Sequence, residues 1–395
     1  MSRKTHPWGV PPWTVNFRPK PCSLPDQVDF AVVGGGFTGL SAAACLRRLA
    51  PKKSVIVLEA ASLGEGASGR TGGLALAETA AGPLSGLGDV LAGYKKILRS
   101  LRIDGRLELP GVWELGRSNP EKNSPICWDD SGALQVVRTV PGGAVDPGKV
   151  VAGLARAAET AGAQIFEHAR VEAMEFSSPP RLRVWHGIRG RLQTKELRAG
   201  KVLFATNAFS LALPGLLGIT QPKLTLALAT SPLSRTQLKA IGLSSRHPFY
   251  TVDLPYLWGR LLESNGIVFG AGLVPAPSSI AALFGRPVKK HARPLPAPNL
   301  YRFDVRKGEA AERFRWLEDR VRHLHPALKS VRITHRWAGP ILLTEGMHPI
   351  FRRHPRSKNV LILGGYSGHG VALSVYLGQW AAEAMLGRRP LPSWR

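Results

Sequence analysis

Short unbroken apolar runs that end in glycine recur along the chain, and the first sets the frame. VDFAVVGGG, from Val28, reads as a buried strand running into glycines. FTGLSAAACLRRLA continues at helical length in small residues, and SVIVLEA, after the break at Pro51, reads as a second buried strand. Together they make a βαβ unit, whose parallel strands require a right-handed crossover. Residues 84–145 instead alternate short apolar stretches with Gly, Pro and Asn turns, which predicts a β-rich insertion. Near Val150, KVVAGLARAAETAG has a helical pattern, and AQIFEH, RVEAMEF, LRVWHGI and KVLFATNAF read as strands. Residues 224–274 predict antiparallel sheet with a helix near Arg235–Ile241, and 275–298, rich in Pro, Ala and basic residues, predict a loop. A helix follows at Glu309–His323. The last unit is a strand, NVLILGG, a turn, YSGHG, and a helix from Val371 to Leu386. No internal repeat is present.

Doubly wound elements therefore lie at both ends and in the middle. The expected fold class is α/β: a discontinuous Rossmann-type domain with an inserted mixed β-sheet domain. The first is expected to comprise residues 28–83, 146–213 and 330–395, the second residues 84–145 and 214–329, and residues 1–27 form an irregular arm rich in Pro and Trp.

Composition narrows the class. A chain of 395 residues suits two packed domains, and 44% hydrophobic residues can fill their cores. The net charge of +26 attracts anions, but the excess is spread through the chain, so a polyanion partner does not follow from it. Cys22, Cys45 and Cys127 are far apart with no CxxC, which argues against a disulfide framework or a cysteine zinc site and fits a reducing compartment. No metal site is expected. MSRKTHPWGVPPW has no apolar h-region, and no run of about 18 apolar residues occurs, so neither secretion nor a membrane span is expected and the cytoplasm is the default.

The chemistry starts at Gly34, Gly36 and Gly39, a GxGxxG spacing between strand and helix, with Phe37 and Thr38 in the same turn. The first glycine allows the turn, the second lets the backbone approach a pyrophosphate, and the third lets helix and strand pack closely. The phosphates then meet the helix N-terminus, where unpaired N–H groups favour negative charge. Glu59, followed by Ala60, ends the second strand 20 residues after Gly39, where a carboxylate can accept ribose hydroxyls and disfavours a 2′-phosphate. Immediately afterwards runs ASLGEGASGRTGGLAL, too glycine-dense for a good helix or strand. It carries Ser68, Gly69, Arg70, Thr71, Gly72 and Gly73. A nicotinamide enzyme has no need of this second loop, whereas a flavin has a ribityl chain and ring still to house. That favours FAD.

GGGFTGLSAA, the terminal Glu59, GASGRTGG, DPGKVVAGLARAAETAGAQIFEHARVEAMEF, VLFATNAF, RWAGP and GGYSGHGVALS occur in that order. As a set they resemble the FAD-dependent D-amino-acid oxidase and glycine oxidase superfamily, and within it the γ-glutamylputrescine oxidoreductase-like branch. The resemblance runs from about residue 7 to 390. It implies a Rossmann-type FAD domain, a mixed-sheet substrate domain and oxidation of a C–N bond. It also implies that Val171 meets the adenine end through its backbone and that Ala205 and Thr206 line the cofactor.

At the other end of the chain, Gly365, Ser367, Gly368, Gly370 and Val371 sit between a buried strand and a helix start, where N–H groups and the helix dipole favour the negative charge of reduced flavin. His369, in the same turn, polarises the flavin, touches substrate or caps the helix; the three roles stay open. Relatives that attach flavin covalently do so through His or Cys. GASGRTGGLAL holds neither and GYSGHG has no Cys, so the FAD is expected to be non-covalent. The resemblance places DLPYLWGRLLESNGIVFGAG on a strand pair over the flavin. There Tyr256, Trp258 and Arg260 alternate and so share a face. The arginine would hold a substrate carboxylate, and the rings would shield the substrate or hold a cationic amine, unless all three are packing and surface. Arg336, Trp337 and Tyr366 are secondary candidates.

The expected function is FAD-dependent oxidation of an amine or amino acid, by hydride transfer to flavin N5, to an imine that hydrolyses. The partners expected are a small-molecule amine or amino acid and an electron acceptor, oxygen or another. One alternative is a flavoprotein acting on a modified tRNA base, which clustered cations would favour and dispersed charge does not. Another is a non-catalytic flavin-binding protein.

Overall fold

The computed structural model describes residues 6–188, 191–253, 256–273 and 303–394. The loop expected at 275–298 lies outside them. β1 (Gln27–Val33), α1 (Phe37–Leu49) and β2 (Val55–Leu58) form the expected βαβ unit, with Val32 beside Val57 in parallel register. After α2 (Ala67–Arg70), β3 (Leu74–Leu76) and α3 (Val90–Ser100) come four strands: β4 (Val112–Gly116), β5 (Trp128–Asp129), β6 (Ala133–Val140) and β7 (Gly142–Ala144). α4 (Pro147–Thr160) leads into β8 (Gln164–Phe166), β9 (Ala169–Glu175), β10 (Arg181–Ile188) and β11 (Arg191–Phe204). β12 (Thr220–Thr230), α5 (Arg235–Ala240), β13 (Phe249–Thr251), β14 (Leu257–Leu261) and β15 (Ile267–Leu273) follow. α6 (Gly308–His323), β16 (Ile333–Thr344), β17 (Ile350–His354), β18 (Ser357–Gly364) and α7 (Gly370–Met385) complete the order.

One sheet runs β17-β18-β11-β1-β2-β8, parallel from β18 to β8. Phe30 and Val32 of β1 face a core built with α1, α3, α4 and α7, while Ala31 and Val33 face the opposite side, covered by the β9–β10–β11 antiparallel layer. Burial on both sides explains why β1 and β2 read as unbroken apolar runs. The second sheet runs β16-β12-β15-β14-β13-β4-β6-β5. It is antiparallel except where β13 meets β4, so it is mixed, as expected, and α5 and α6 pack on it around Trp128, Phe249 and Phe269.

Three elements depart from the sequence reading. The boundary expected at residue 330 assigns Ile333–Thr344 to the Rossmann-type unit, but β16 pairs along its length with β12 of the second sheet. The segment expected as a β-rich insertion holds α3. Its Val90, Tyr94, Ile97 and Leu98 recur at helical spacing and join the core of the first sheet, and the Asp89 side chain caps it by accepting from the Ala92 N–H at 2.8 Å. The glycine-dense loop contains the helical turn α2, because Gly69 lets the backbone close onto Gly64: a Cβ there would lie 2.0 Å from the Gly64 carbonyl oxygen.

The N-terminal arm is irregular but anchored. Trp8 and Trp13 are buried, and Gly9 bridges Trp337 of β16. No helix among the described residues is long and apolar enough to cross a membrane.

Candidate functional site

A cavity of about 700 Å3 opens where the two sheets meet, within the usual range for a ligand pocket. Its floor is the first βαβ turn. Gly34 has φ of 111°, and its position against Ala205 leaves no room for a Cβ, which would fall 2.6 Å from the Ala205 carbonyl oxygen. At Gly39 a Cβ would lie 2.0 Å from the Gly34 carbonyl oxygen, so glycine is what seats α1 against β1. Gly34, Gly36, Phe37 and Thr38 line the cavity, with Gly39 behind them. The Ser68 hydroxyl accepts from the Phe37 N–H at 2.9 Å and so joins the second loop to the first.

Glu59 ends β2 with Ala60 beside it, both on the cavity wall. Each carboxylate oxygen accepts one backbone N–H, from Gly35 at 2.8 Å and from Ala61 at 2.9 Å. Burial pushes the carboxyl above its ordinary range, and these two donors offset part of that rise. Val171, Ala205 and Thr206 line the wall around it. In the second loop Ser68, Arg70, Thr71 and Gly72 reach the cavity; Gly69 and Gly73 sit behind, against Gly64 and the Val145 carbonyl. The Arg70 fork is held by the protein itself: its Nε donates to the Glu65 carbonyl at 2.8 Å and its Nη1 to the Gly9 carbonyl at 2.9 Å. Burial lowers it to about 10, so it stays cationic at neutral pH.

Ser367, Gly368, His369, Gly370 and Val371 line the opposite side at the start of α7, with Gly365 just outside, donating its N–H to Asn207 Oδ1 at 3.0 Å. The Ser367 and His369 N–H groups are taken by the Leu342 and Tyr366 carbonyls. Tyr366 is buried and shares a 2.6 Å hydroxyl pair with Thr38, locking the two ends of the chain across the cavity. His369 Nδ1 and Ser374 Oγ are buried, and neither has a hydrogen-bond partner among the described residues. Burial lowers the His369 pKa below its ordinary value, so the ring is neutral at pH 7.

The structure divides the expected substrate-side set. Tyr256 and Trp258 line the cavity; Arg260 does not. Its Nε donates to the Gly72 carbonyl and its Nη1 to the Leu261 carbonyl at 3.1 Å, and it opens on a separate cleft. The alternation was sound, since Trp258 and Arg260 both reach the Gly72–Gly73 segment. That segment lies between Arg260 and the cavity. Trp337 and Tyr366 line the cavity and Arg336 does not; it pairs with Glu318. Sequence reasoning passed over Tyr250, Met347, Asn207 and Ser374. The last two lie inside the motifs VLFATNAF and GGYSGHGVALS, whereas Tyr250 and Met347 carry no local signal.

These groups fit a flavin dinucleotide. The glycine cradle is sterically closed to side chains, the carboxylate faces a buried wall, and two unpaired polar atoms line the far side. Among the described residues no group of His, Cys, Asp and Glu is arranged to hold a metal.

Comparison with known proteins gives the same direction. A family profile described as FAD dependent oxidoreductase matches residues 29–136 and 120–384. The chain is 28% identical over 425 residues to the probable oxidoreductase OrdL of Haemophilus influenzae, covering 94% of this chain and 86% of the relative. It is 26% identical over 401 residues to the gamma-glutamylputrescine oxidoreductase of Escherichia coli, covering 91% and 84%. Among solved structures, glycine oxidase from Geobacillus kaustophilus superposes with a TM-score of 0.65 at 19% identity, covering 94% of this chain and 97% of that one. L-amino acid deaminase from Proteus myxofaciens superposes with a TM-score of 0.69 at 16% identity, covering 97% and 94%. At such identities these two speak for the fold alone.

Proposed function

The chain belongs to the DAO family of FAD-dependent oxidoreductases, and from that premise we propose that it oxidises the C–N bond of an amine, in preference to an amino acid. One observation carries the preference. The chamber beside the His369 turn is walled by Tyr250, Tyr256, Trp258, Leu343 and Met347, while Arg260, the cation expected to grip a carboxylate, faces away from it.

FAD, bound non-covalently, supplies an acceptor for two electrons. The chain's residues then have three tasks. Gly34, Gly36 and the start of α1 hold the pyrophosphate, and Glu59 accepts the ribose hydroxyls. Gly368 and Gly370, whose turn opens α7, set backbone N–H groups toward the developing negative charge. The apolar side chains of the chamber favour the neutral amine over the ammonium ion, so a bound amine gives up its proton to solvent on entry. Loss of a hydride from the carbon of the neutral amine, to the bound two-electron acceptor, would leave an iminium ion, which water hydrolyses to a carbonyl compound and a protonated amine. No side-chain base is required, since the amine enters the step already neutral.

The purified protein should be yellow, and acid precipitation should release FAD into the supernatant; colour held in the pellet would contradict non-covalent binding. The function itself is tested by an anaerobic screen of amines against their matching amino acids, following the bleaching of the flavin band. Faster reduction by the amines is expected. Equal or faster reduction by the amino acids would defeat the preference, and no bleaching by either class would defeat the oxidation. Repeating the active pairs with oxygen or an artificial dye identifies the acceptor.

A further inference from the structure

Three buried side chains from distant parts of the chain converge on the carbonyls of one loop. The Trp13 indole N–H donates to the Gly69 carbonyl at 2.7 Å and the Trp337 indole to the Arg70 carbonyl at 2.9 Å. Arg260 Nε donates to the Gly72 carbonyl. The donors also touch one another. Trp13 and Trp337 meet edge to face with centroids 5.4 Å apart, and the Arg260 guanidinium lies 5.4 Å from the Trp13 ring centre. They form a single cluster against the loop, whose Arg70, Thr71 and Gly72 line the cavity; Trp337 also reaches the cavity wall, while Trp13 and Arg260 stay behind the loop.

We infer that Trp13, Trp337 and Arg260 are positioning residues for this loop, and that the N-terminal arm is therefore part of the flavin site. The inference rests on the assignment of Ser68–Gly73 to the flavin. The physical case begins with the sequence of the loop. Gly69, Gly72 and Gly73 leave its backbone little conformational preference, so the fixed geometry a cofactor needs has to be imposed from outside. In a trans peptide the carbonyl and the following N–H point opposite ways. A donor that holds the Gly72 carbonyl therefore fixes the Gly73 N–H on the other side, where its one protein acceptor is a long 3.4 Å contact to the Thr71 hydroxyl. Removing a donor leaves a buried carbonyl unpaired, and the loop relieves that by turning. Arg260 adds a second effect the indoles lack. It is a buried cation directly behind the loop, with Asp146 and Glu108 the nearby carboxylates that act on it, and its field favours the reduced, anionic flavin over the oxidised one.

The arm's sequence suits this duty. In PWGVPPW, Pro11 and Pro12 stiffen the link between the two tryptophans. The Trp8 carbonyl accepts from the Ala338 N–H at 2.8 Å, which fastens the arm to β16.

The test uses four variants of the full chain: Trp13→Phe, Trp337→Phe, Arg260→Met and, as control, Trp380→Phe. Trp380 is also buried, and its indole donates to the Pro390 carbonyl at 2.7 Å, but it lies away from the cavity. FAD affinity, the visible spectrum of bound flavin and the midpoint potential are measured with the melting temperature. The two tryptophan variants at the loop are expected to weaken FAD binding about tenfold and to shift the flavin band. Arg260→Met should in addition lower the midpoint potential, which neither phenylalanine does, while Trp380→Phe lowers the melting temperature alone. Parent-like FAD affinity and spectrum in both Trp13→Phe and Trp337→Phe would overturn the inference, and these two decide it if Arg260→Met does not fold. A parent protein that purifies without FAD and binds none would overturn it for a different reason, by removing the loop's assignment.

Discussion

The two ends of the cavity are built from different material. At the dinucleotide end the wall is backbone: glycines too tightly packed for a Cβ, N–H groups at the start of a helix, one carboxylate held by two amides. At the end proposed for substrate the wall is side chain: Tyr250 from β13, Trp258 from β14, Leu343 from β16, and Tyr256 and Met347 from the segments between. A backbone site constrains residue type at fixed spacing, because only glycine fits. A side-chain site asks only that some bulky residue arrive there, from anywhere in the chain. The first kind of site writes itself into the sequence as a motif, and the second does not.

The sharpest way to break the comparison is at Gly39. Gly39→Ala puts a methyl 2.0 Å from the Gly34 carbonyl oxygen, so the helix must move, at a cost of about 3 kcal/mol or more. Loss of FAD binding is expected, read by flavin fluorescence. An alanine variant that binds FAD like the parent would show that the close approach is not needed.

Next in size is Gly368→Val. Gly368 has φ of 93° with nothing within 4 Å of a built Cβ, so the effect is conformational and not a clash. Loss of one aligned donor slows flavin reduction by about 10²–10³-fold and lowers the midpoint potential, with FAD still bound. Gly370 differs: its φ is unremarkable, and its Cβ would press on Tyr366 at 3.2 Å. An unchanged potential in Gly368→Val would make the turn a structural one.

Glu59→Ala comes third. It should weaken FAD binding by about 1–3 kcal/mol, through the lost ribose contact and the two freed amides, and leave the Michaelis constant for the amine unchanged once flavin is saturating. The smallest effect belongs to the other end. Tyr256 is 49% exposed, so Tyr256→Ala should raise the Michaelis constant about three- to tenfold without altering FAD affinity. If the two variants exchanged their effects, the division between the ends would be wrong.

The same division explains what could be read in advance. The βαβ unit was legible as a fold element, and the glycine loops, Glu59 and the C-terminal turn as parts of one cavity wall, because each is a local pattern at fixed spacing. β16 was assigned to the wrong unit because an apolar strand does not declare which sheet it will join; only its pairing with β12 does. α3 was hidden by the turn residues around it, although its apolar spacing was present. Arg260 misled for a subtler reason. Alternation tells which face a side chain shares, and here it shared Trp258's face correctly, but no periodicity reveals that a loop some 190 positions earlier covers that face. Arg70 is the converse. Its place on the cavity wall was legible, while the arm carbonyl that occupies it was not.

The hydroxyl pair between Thr38 and Tyr366 has a consequence in time. The two residues are 328 positions apart, and Ser41 likewise waits for the Val375 carbonyl, 334 positions on. A ribosome adding about 5–20 residues per second spends on the order of half a minute between them. Throughout that interval α1, buried along most of its length in the finished protein, lacks the helix that covers it. The cofactor pocket is thus among the last things the nascent chain can close, although its floor is among the first things made. A chain that stalls before α7 carries the dinucleotide motif without the helix that covers α1 or the turn that faces it across the cavity.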